Sequence, residues 1–226
     1  MKSGFKLMNK VLRFVFQIVC RIDPEDFKKI PVEGPLILVG NHINFLEVPV
    51  FLPHIDHPNV IGVAKRESWK NPLFNFLFKQ WGIIPIDRGQ VDREAFRQME
   101  EALSQGKVVA MSPEGTRSKD GCLLPGKPGV VAIAVKSNAL LLPIGFYGYE
   151  NFWKNFKHFK KTDFNVVVGK PFRLNLNGLA LSRDVRQAIT DEIMYKIAEL
   201  LPERYRGHYQ FENPIEYQYL KPIDLN

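Results

Sequence analysis

The sequence predicts a single α/β domain with a mostly parallel, mixed sheet flanked by helices, preceded by an N-terminal amphipathic helix. Short apolar runs rich in branched residues alternate with segments of helical periodicity, and 226 residues are the length of one large domain. Several runs are continuously apolar, as expected of strands buried on both faces. The predicted strands are residues 36–40, 60–65, 83–87, 108–111, 141–146 and 165–169.

Three helices are predicted between and after these strands, over residues 92–105, 129–137 and 183–201. The first ends before Gly106, a stop signal, and its apolar residues recur at helical spacing. No internal repeat and no Gly/Ser-rich linker divides the chain. Residues 23–202 therefore form one domain. Residues 203–226, in which Pro, Tyr and charged residues are mixed, form an irregular C-terminal tail laid over it.

Residues 1–22 carry five basic residues and no acidic one. Their apolar stretch is interrupted by Arg13 and Gln17, so it is too short and too polar to span a bilayer, which takes about 20 apolar residues. No small-residue cleavage site follows, which argues against a signal peptide. As a helix, the segment has a narrow cationic stripe beside a wide apolar surface, the pattern of a helix in a membrane interface. The alternative is a terminal helix docked on the domain's own core.

The charge of the chain is unevenly distributed. Lys and Arg number 31 against 24 Asp and Glu, a formal net charge of +7. Residues 1–22 and 150–175 hold this excess, and the rest is close to neutral. Two basic patches indicate an anionic partner. The two cysteines imply no disulfide framework and fit a reducing compartment.

His42 is the first candidate for a chemical role. A carboxylate, Glu47, follows five residues later, but spacing alone decides nothing because His158 also has an acidic residue five positions on. Asn41 and His42 directly follow the predicted strand 36–40, at the edge where ligands approach α/β sheets. His158 follows no predicted strand, and we interpret it as unrelated to the site.

Glu47 also has a purely structural interpretation. Asn44 and Glu47 have the spacing of a capping box, in which the carboxylate only caps a helix. Residues five apart on one helix point about 140° apart. A contact between His42 and Glu47 therefore requires His42 in a loop and Glu47 near the start of the helix, and Val48–Pro49 leaves that start ambiguous.

Residues 121–128 resemble a phosphate-binding P-loop, but the last position is Pro128 instead of Ser or Thr. The hydroxyl at that position holds magnesium, and proline also lacks an N–H group. The predicted strand before the loop ends at residue 111, too early for this motif. We therefore expect no nucleotide hydrolysis.

Four sequence blocks occur in order. They are residues 41–47 (Asn-His-Ile-Asn-Phe-Leu-Glu), 82–88 (Gly-Ile-Ile-Pro-Ile-Asp-Arg), 112–118 (Ser-Pro-Glu-Gly-Thr-Arg-Ser) and 142–144 (Leu-Pro-Ile). In this order and at these separations, the chain resembles the glycerolipid acyltransferases, in particular the 1-acyl-sn-glycerol-3-phosphate acyltransferase family, over roughly residues 30–170. The third block is highly specific.

The resemblance implies roles for the site residues. It makes His42 the general base. The sequence departs from the family at two positions, with Glu47 where the family has aspartate and Asn44 where serine is usual. Both departures fit a subfamily with a different acceptor. The residues that bind the substrate phosphate are Arg88, Glu114, Gly115, Thr116 and Arg117. The residues that the resemblance assigns to the substrate or acyl pocket are Asn41, Lys127 and Pro143. Neither a metal ion nor a cofactor is implied.

The chemistry of these residues agrees with the resemblance. Acyl transfer from a thioester to an alcohol needs a base for a hydroxyl whose pKa is far above neutral, and an imidazole with an ordinary pKa of about 6.5 suits that task. A carboxylate on its other nitrogen fixes the tautomer and stabilises the imidazolium. The sequence has no Gly-x-Ser-x-Gly elbow, and neither cysteine has a nucleophile context. Direct attack by the acceptor hydroxyl is therefore favoured.

Two aromatic-rich segments fit a lipid substrate. In residues 152–161, aromatic side chains alternate with lysines, which favours an anionic bilayer surface. Residues 69–81 are apolar enough to form an interfacial hairpin or the wall of an acyl pocket. For the second segment, ordinary core is the alternative.

We predict a peripheral or monotopic enzyme at the cytoplasmic face of the membrane, with residues 23–202 as its acyltransferase domain. It moves a fatty acyl chain from acyl-CoA or acyl carrier protein to the sn-2 hydroxyl of lysophosphatidic acid, giving phosphatidic acid. Its partners are the donor, a lysophospholipid acceptor and an anionic membrane surface, with no nucleic acid. Two alternatives stay open: the same reaction on another lysophospholipid or polar alcohol, and a non-catalytic lipid- or nucleic-acid-binding module.

Overall fold

Strands from the whole length of the chain join one mixed sheet in the computed structural model, which describes residues 3–87, 89 and 92–223. Within those residues the strands are β1 (Cys20–Ile22), β2 (Leu36–Gly40), β3 (Val60–Lys65), β4 (Ile84–Ile86), β5 (Val108–Met111), β6 (Leu140–Tyr147), β7 (Thr162–Val168), β8 (Phe172–Leu174) and β9 (Leu220–Pro222). Their order is β1-β7-β6-β2-β5-β3-β4, with β8 beside β6 and β9 beside β8. Strands β6, β2, β5, β3 and β4 run parallel, and β7 is antiparallel to β6.

Helices cover both faces of this sheet. They are α1 (Ser3–Val19), α2 (Glu25–Lys28), α3 (Glu47–Ile55), α4 (Pro72–Trp81), α5 (Arg93–Ser104), α6 (Gly129–Ser137), α7 (Phe152–Lys157) and α8 (Arg183–Ala198). Residues of α5, α6 and α8 pack on one face, and residues of α1 to α4 and α7 pack on the other. The predicted fold class, a mostly parallel mixed sheet flanked by helices, is confirmed.

Strand β2 lies at the centre of the sheet with all five residues buried. Ile37 and Val39 point into the core beneath α5, α6 and α8, while Leu36 and Leu38 point into the core on the opposite face. Side chains alternate across a strand, so a strand covered on both faces needs apolar residues at every position. This is the physical reason for the continuous apolar run in the sequence.

The parallel pairing places several loops together. Parallel strands present their carboxyl ends at the same edge of a sheet, which is where ligands bind α/β folds. Residues 41–47 follow β2, residue 87 follows β4, residues 112–118 follow β5 and residues 148–151 follow β6. Three of the four sequence blocks therefore end or lie at one edge, and the fourth lies inside β6.

The N-terminal helix docks on the domain through one face. Asn9 is fully buried: its amide nitrogen donates to Asp56 at 2.6 Å, and its oxygen accepts from the Trp81 indole at 3.0 Å. Arg13 donates to the Pro53 carbonyl at 2.9 Å and pairs with Asp56 at 3.2 Å. The helix ends earlier than the predicted segment 1–22, because residues from Cys20 onward form β1, which runs parallel to β7.

The opposite face of α1 is apolar and exposed. Leu7 and Phe14 are 63% and 65% exposed, and Val11, Val15 and Ile18 are exposed beside them. Within the described ranges, no helix combines the length and hydropathy that a bilayer-spanning segment needs. The docked and the apolar surfaces are thus two different faces of one helix.

Two other predicted segments differ from expectation. Residues 69–81 form no hairpin: they end a short 3₁₀ turn and continue as α4, which buries Leu77, Phe78 and Trp81 and exposes Leu73 and Phe76. The segment predicted as an irregular C-terminal tail has regular structure. It contains β9, which pairs with β8, and it buries Tyr205 and Tyr209.

Candidate active site

His42 and Glu47 are in contact. The Nδ1 atom of His42 lies 3.2 Å from Oε2 of Glu47, and both side chains are largely buried. His42 lies in the loop after β2, and Glu47 is the first residue of α3. This is the arrangement that the contact requires. With Nδ1 bound to the carboxylate, Nε2 is the ring nitrogen that can accept a proton.

The other oxygen of Glu47 anchors the same loop. Oε1 accepts hydrogen bonds from the backbone N–H groups of Ile43 at 2.7 Å and Asn44 at 2.9 Å. The side-chain oxygen of Asn44 in turn accepts from the backbone N–H of Leu46 at 2.9 Å. One oxygen of this carboxylate therefore faces the imidazole, and the other holds the backbone of the loop that carries it.

Tyr149 is a further member of this group. Its hydroxyl donates to Oε1 of Glu47 at 2.7 Å, and its ring is fully buried and stacked on Phe164. Burial works against the charged carboxylate, but the hydrogen bond and charge of His42 and the bond from Tyr149 hold the pKa of Glu47 below its ordinary value. Burial, with the neighbouring carboxylate, raises the pKa of Tyr149 well above its ordinary value. Glu47 is thus ionised and Tyr149 neutral at neutral pH.

Asn41 fixes the loop to the neighbouring strand. Its amide nitrogen donates to the carbonyl of Phe146 at 2.8 Å, and its oxygen accepts from the N–H of the same residue at 2.7 Å. Asn44 likewise donates to the carbonyl of Tyr149 at 2.9 Å. Both ends of the His42 loop are therefore held against β6 and the residues that follow it.

Glu114 is buried beneath the loops and does not face solvent as a phosphate-binding residue would. Its Oε1 accepts from the backbone N–H of His42 at 2.8 Å, and its Oε2 accepts from that of Leu124 at 2.9 Å. Burial raises its pKa to about 7, against the lowering effect of these bonds. In this position, the side chain of Glu114 ties the first block to the third.

The third block turns at the surface over residues 115–117, whereas Pro113 and Ser118 are buried. Gly115 adopts a positive φ of 65°, a conformation that favours glycine. A Cβ atom there would lie 3.3 Å from the side chain of Lys127, so the structure places Lys127 beside this turn. Thr116 and Arg117 are exposed. Arg88, predicted to bind phosphate with them, lies outside the described residues.

An apolar cavity opens at His42 and Glu47. It has a volume of about 150 Å³ and runs between the sheet and α3, where Val48, Phe51 and Leu52 line it. Asn41 and Gly115 also border it.

Pro143 and the segment 69–81, both considered for the pocket wall, lie away from this cavity. Pro143 is buried in β6 on the face away from the cavity, beside Gly169, whereas its neighbours Ile144 and Phe146 line the cavity. Successive residues of a strand point to opposite faces, which accounts for the difference. Among the described residues, α3 and not the segment 69–81 supplies the helical wall.

His158 and the loop of residues 121–128, which the sequence analysis separated from the site, make other contacts. His158 is exposed, and its Nδ1 lies 2.7 Å from the carbonyl of Lys154, one turn earlier. In the loop resembling a P-loop, the Gly126 N–H donates to the Tyr209 hydroxyl at 2.8 Å, and the Lys127 N–H donates to the Pro113 carbonyl at 2.9 Å. These two amides are therefore committed within the protein.

The chain is similar to several known proteins. Residues 21–147, more than half of the chain, match the Acyltransferase family. The 1-acyl-sn-glycerol-3-phosphate acyltransferase of Borreliella burgdorferi is 27% identical over 128 residues, which are 56% of this chain and 51% of that protein. The enzyme of the same name from Bacillus subtilis is 21% identical over 196 residues, 87% of this chain and 96% of that protein.

A solved structure shares the fold. The crystal structure of the 1-acyl-sn-glycerophosphate (LPA) acyltransferase PlsC from Thermotoga maritima superposes with a TM-score of 0.61 at 22% identity, over 87% of this chain and 79% of that one. The chain spans about half the length of several curated relatives that it matches. The matched region holds all four sequence blocks and both members of the His42–Glu47 pair, and this chain belongs to the Acyltransferase family.

Proposed function

We propose that this protein transfers a fatty acyl group from a thioester donor to the sn-2 hydroxyl of lysophosphatidic acid, giving phosphatidic acid. The observation that carries the proposal is the pair of His42 and Glu47 at the mouth of an apolar cavity, with Nδ1 of the imidazole held by a buried carboxylate. The names of the curated relatives support lysophosphatidic acid as the acceptor.

The proposed reaction needs one base and no acyl-enzyme. Nε2 of His42 takes the proton of the acceptor hydroxyl while its oxygen attacks the thioester carbonyl. When the tetrahedral intermediate collapses, the carbon–sulfur bond breaks and the leaving sulfur receives the proton from the imidazolium. Glu47 stabilises that imidazolium and keeps the proton of the resting imidazole on Nδ1. The cavity beside α3 receives the acyl chain, because its lining is predominantly apolar.

Acyltransferase activity on another acceptor is the alternative that Glu47 and Asn44 leave open. A panel of lysophospholipids and of simple alcohols, incubated with the protein and palmitoyl-CoA and read by mass spectrometry, tests the acceptor directly. We expect phosphatidic acid as the main product. If a different ester were the main product, the alcohol that forms it would replace lysophosphatidic acid as the proposed acceptor. The proposed mechanism of acyl transfer would stand.

Arg117 is proposed to contact the acceptor's phosphate. Its side chain is exposed on the turn beside the site, and a guanidinium matches phosphate oxygens in geometry. Arg117→Ala is expected to raise the KM for lysophosphatidic acid by about 10–100-fold, since removing a charged hydrogen bond costs about 1.5–3 kcal/mol. Steady-state kinetics with each substrate varied in turn checks this. An equal rise in the donor's KM would point to a structural role instead.

Tyr149 is proposed to act as a positioning residue for Glu47. Tyr149→Phe removes one hydrogen bond to the carboxylate and leaves the buried ring in place. We expect kcat to fall about tenfold with an unchanged KM for either substrate, because only the orientation of Glu47 toward His42 is loosened. The acid limb of the pH–rate profile should also move. A variant with wild-type kcat and pH profile would exclude this role.

The protein is proposed to work as a peripheral or monotopic enzyme at the cytoplasmic face of an anionic membrane, with the exposed face of α1 as its contact. Replacing Leu7, Phe14 and Ile18 with Gln should greatly weaken binding to anionic vesicles, because each buried apolar side chain contributes about 1.5–3 kcal/mol. Vesicle co-sedimentation measures this, with Leu179→Gln, another exposed leucine, as the control. Unchanged sedimentation of the triple variant would move the contact to α7.

A further inference from the structure

Seven exposed side chains of α7 and of the turn after it form a surface that is both aromatic and basic, which we call the α7 surface. Its aromatic members are Trp153, Phe156 and Phe159, and the ring of Phe159 is 100% exposed. Its basic members are four lysines that pair with no carboxylate in the part of the chain that the structure describes: Lys154, Lys157, Lys160 and Lys161. Exposed rings among unpaired cations fit a partner that offers both apolar and anionic groups.

Phe159 has a backbone conformation that bulky residues rarely adopt. Its φ is +54°, in the left-handed region that favours glycine. It follows the last turn of α7, where its N–H donates to the carbonyl of Phe156 at 3.1 Å and the N–H of Lys160 donates to that of Asn155 at 2.9 Å. Helices commonly have glycine at this position. Because the ring is fully exposed, its burial does not offset the strained backbone, and its apolar surface is free to contact a partner.

The α7 surface lies against the loop that carries His42. Phe45 belongs to this loop, and its ring stacks on that of Trp153 with the centroids 5.3 Å apart. The buried ring of Phe152 meets Phe45 edge-on, at a centroid distance of 5.8 Å. In the chain, α7 follows the end of β6, at the edge of the sheet where the His42 loop lies. A partner that covers Trp153 therefore lies at the rim of the candidate active site.

The α7 surface also adjoins α1. The ammonium group of Lys161 donates to the carbonyl of Gln17 at 2.8 Å, in the last turn of α1. Ile18, the next residue of that helix, belongs to its exposed apolar face. The strands that follow the two helices, β1 after α1 and β7 after α7, pair with each other. The exposed face of α1 and the α7 surface are therefore neighbouring parts of the molecular surface.

We propose that the α7 surface is a second membrane contact, in which its rings enter the interface of an anionic leaflet and its lysines bind the phosphate groups of the lipids. A fluid bilayer closes around a projecting ring such as that of Phe159, whereas a protein partner would need a matching pocket for it. The role of this contact rests on the proposed function: through Phe45 and Trp153, it holds the His42 loop at the leaflet from which a lysophospholipid acceptor reaches the imidazole.

Quenching of tryptophan fluorescence by brominated lipids tests whether α7 enters the bilayer. Trp81 is buried and Trp69 is partly buried, whereas Trp153 is exposed. With vesicles of phosphatidylglycerol and brominated phosphatidylcholine, we expect the wild type to be quenched and Trp153→Phe, which keeps an aromatic ring beside Phe45, to lose most of that quenching. Equal quenching of the two proteins would overturn the proposal.

Two triple variants with the same net charge separate a local contact from a general attraction. The first carries Lys154→Gln, Lys157→Gln and Lys160→Gln. The second carries three changes near the opposite edge of the sheet, Lys107→Gln, Lys170→Gln and Lys221→Gln. The first should bind phosphatidylglycerol vesicles about 100-fold more weakly than the wild type, since each basic residue near an anionic surface contributes about fivefold. The second should bind nearly as the wild type does.

Equal binding of vesicles by the two triple variants would overturn the proposal. If the first variant bound vesicles normally and only its KM for palmitoyl-acyl carrier protein rose, the partner would be an acidic protein and the membrane assignment would be wrong. Neither the quenching nor the vesicle binding depends on catalysis. If both came out as expected while the wild type transferred no acyl group, the proposed function would fail and the membrane contact would stand.

Discussion

His42→Ala is expected to lower kcat for acyl transfer by about 10²–10⁴, the contribution of a positioned general base. The imidazole lies at the mouth of the cavity, and the loop that carries it is held by backbone hydrogen bonds to Glu114 and Ser118 and not by the ring. The variant should therefore stay folded, which its thermal unfolding transition checks. Thiol release from palmitoyl-CoA in the presence of lysophosphatidic acid measures the rate.

His158→Ala is the matched control for that experiment. This histidine is also followed by an acidic residue five positions on, but it is exposed directly after α7, and its Nδ1 lies 2.7 Å from the Lys154 carbonyl in the preceding turn. We expect wild-type turnover. If His158→Ala were inactive and His42→Ala active, the base would have been assigned to the wrong histidine.

Glu47→Gln should cost nearly as much as loss of the base, approaching about 10⁴ in kcat. Oε1 accepts three hydrogen bonds, from two backbone N–H groups and Tyr149, so the amide oxygen of glutamine will take that position. The amide nitrogen then faces Nδ1 of His42 and donates to it. That bond places the ring proton on Nε2, the atom that must act as the base.

Glu47→Asp separates this tautomer effect from a loss of packing. Aspartate keeps the charge and the acceptor atoms but is one methylene shorter, so we expect intermediate activity, well above that of the glutamine variant. Near-wild-type turnover by Glu47→Gln in the same assay would rule out the orienting role of the carboxylate.

Much of the fold could be predicted because its strands are buried on both faces. The continuous apolar run of β2 and the helical periodicity of α5 are each direct results of where side chains must point, and both elements formed as predicted. Element ends were harder to place. The segment up to residue 22 has the apolar content of a helix, yet its last residues pair with residues of β7. These partners lie 142 residues later in the chain, so no local pattern contains the contact.

The position of His42 could be predicted because it directly follows the end of a strand, whereas Val48–Pro49 left the start of the helix that carries Glu47 ambiguous. Tyr149 was missed, although it follows β6 at the same edge of the sheet, a signal that could have found it. The burial of Glu114 could not be predicted, because its two partners are backbone N–H groups 72 and 10 residues away in the chain. A motif records residue types and not the direction in which each side chain points.

Acceptor-dependent thiol release is the measurement that tests the proposed acyl transfer most directly. The purified protein is mixed with palmitoyl-CoA and a thiol reagent, and release is followed with and without lysophosphatidic acid at neutral pH. We predict release that depends on the acceptor and yields an equal amount of phosphatidic acid, because the hydroxyl attacks the thioester with no acyl-enzyme. A burst of thiol without acceptor would contradict direct attack, and no release with any acceptor would contradict acyl transfer.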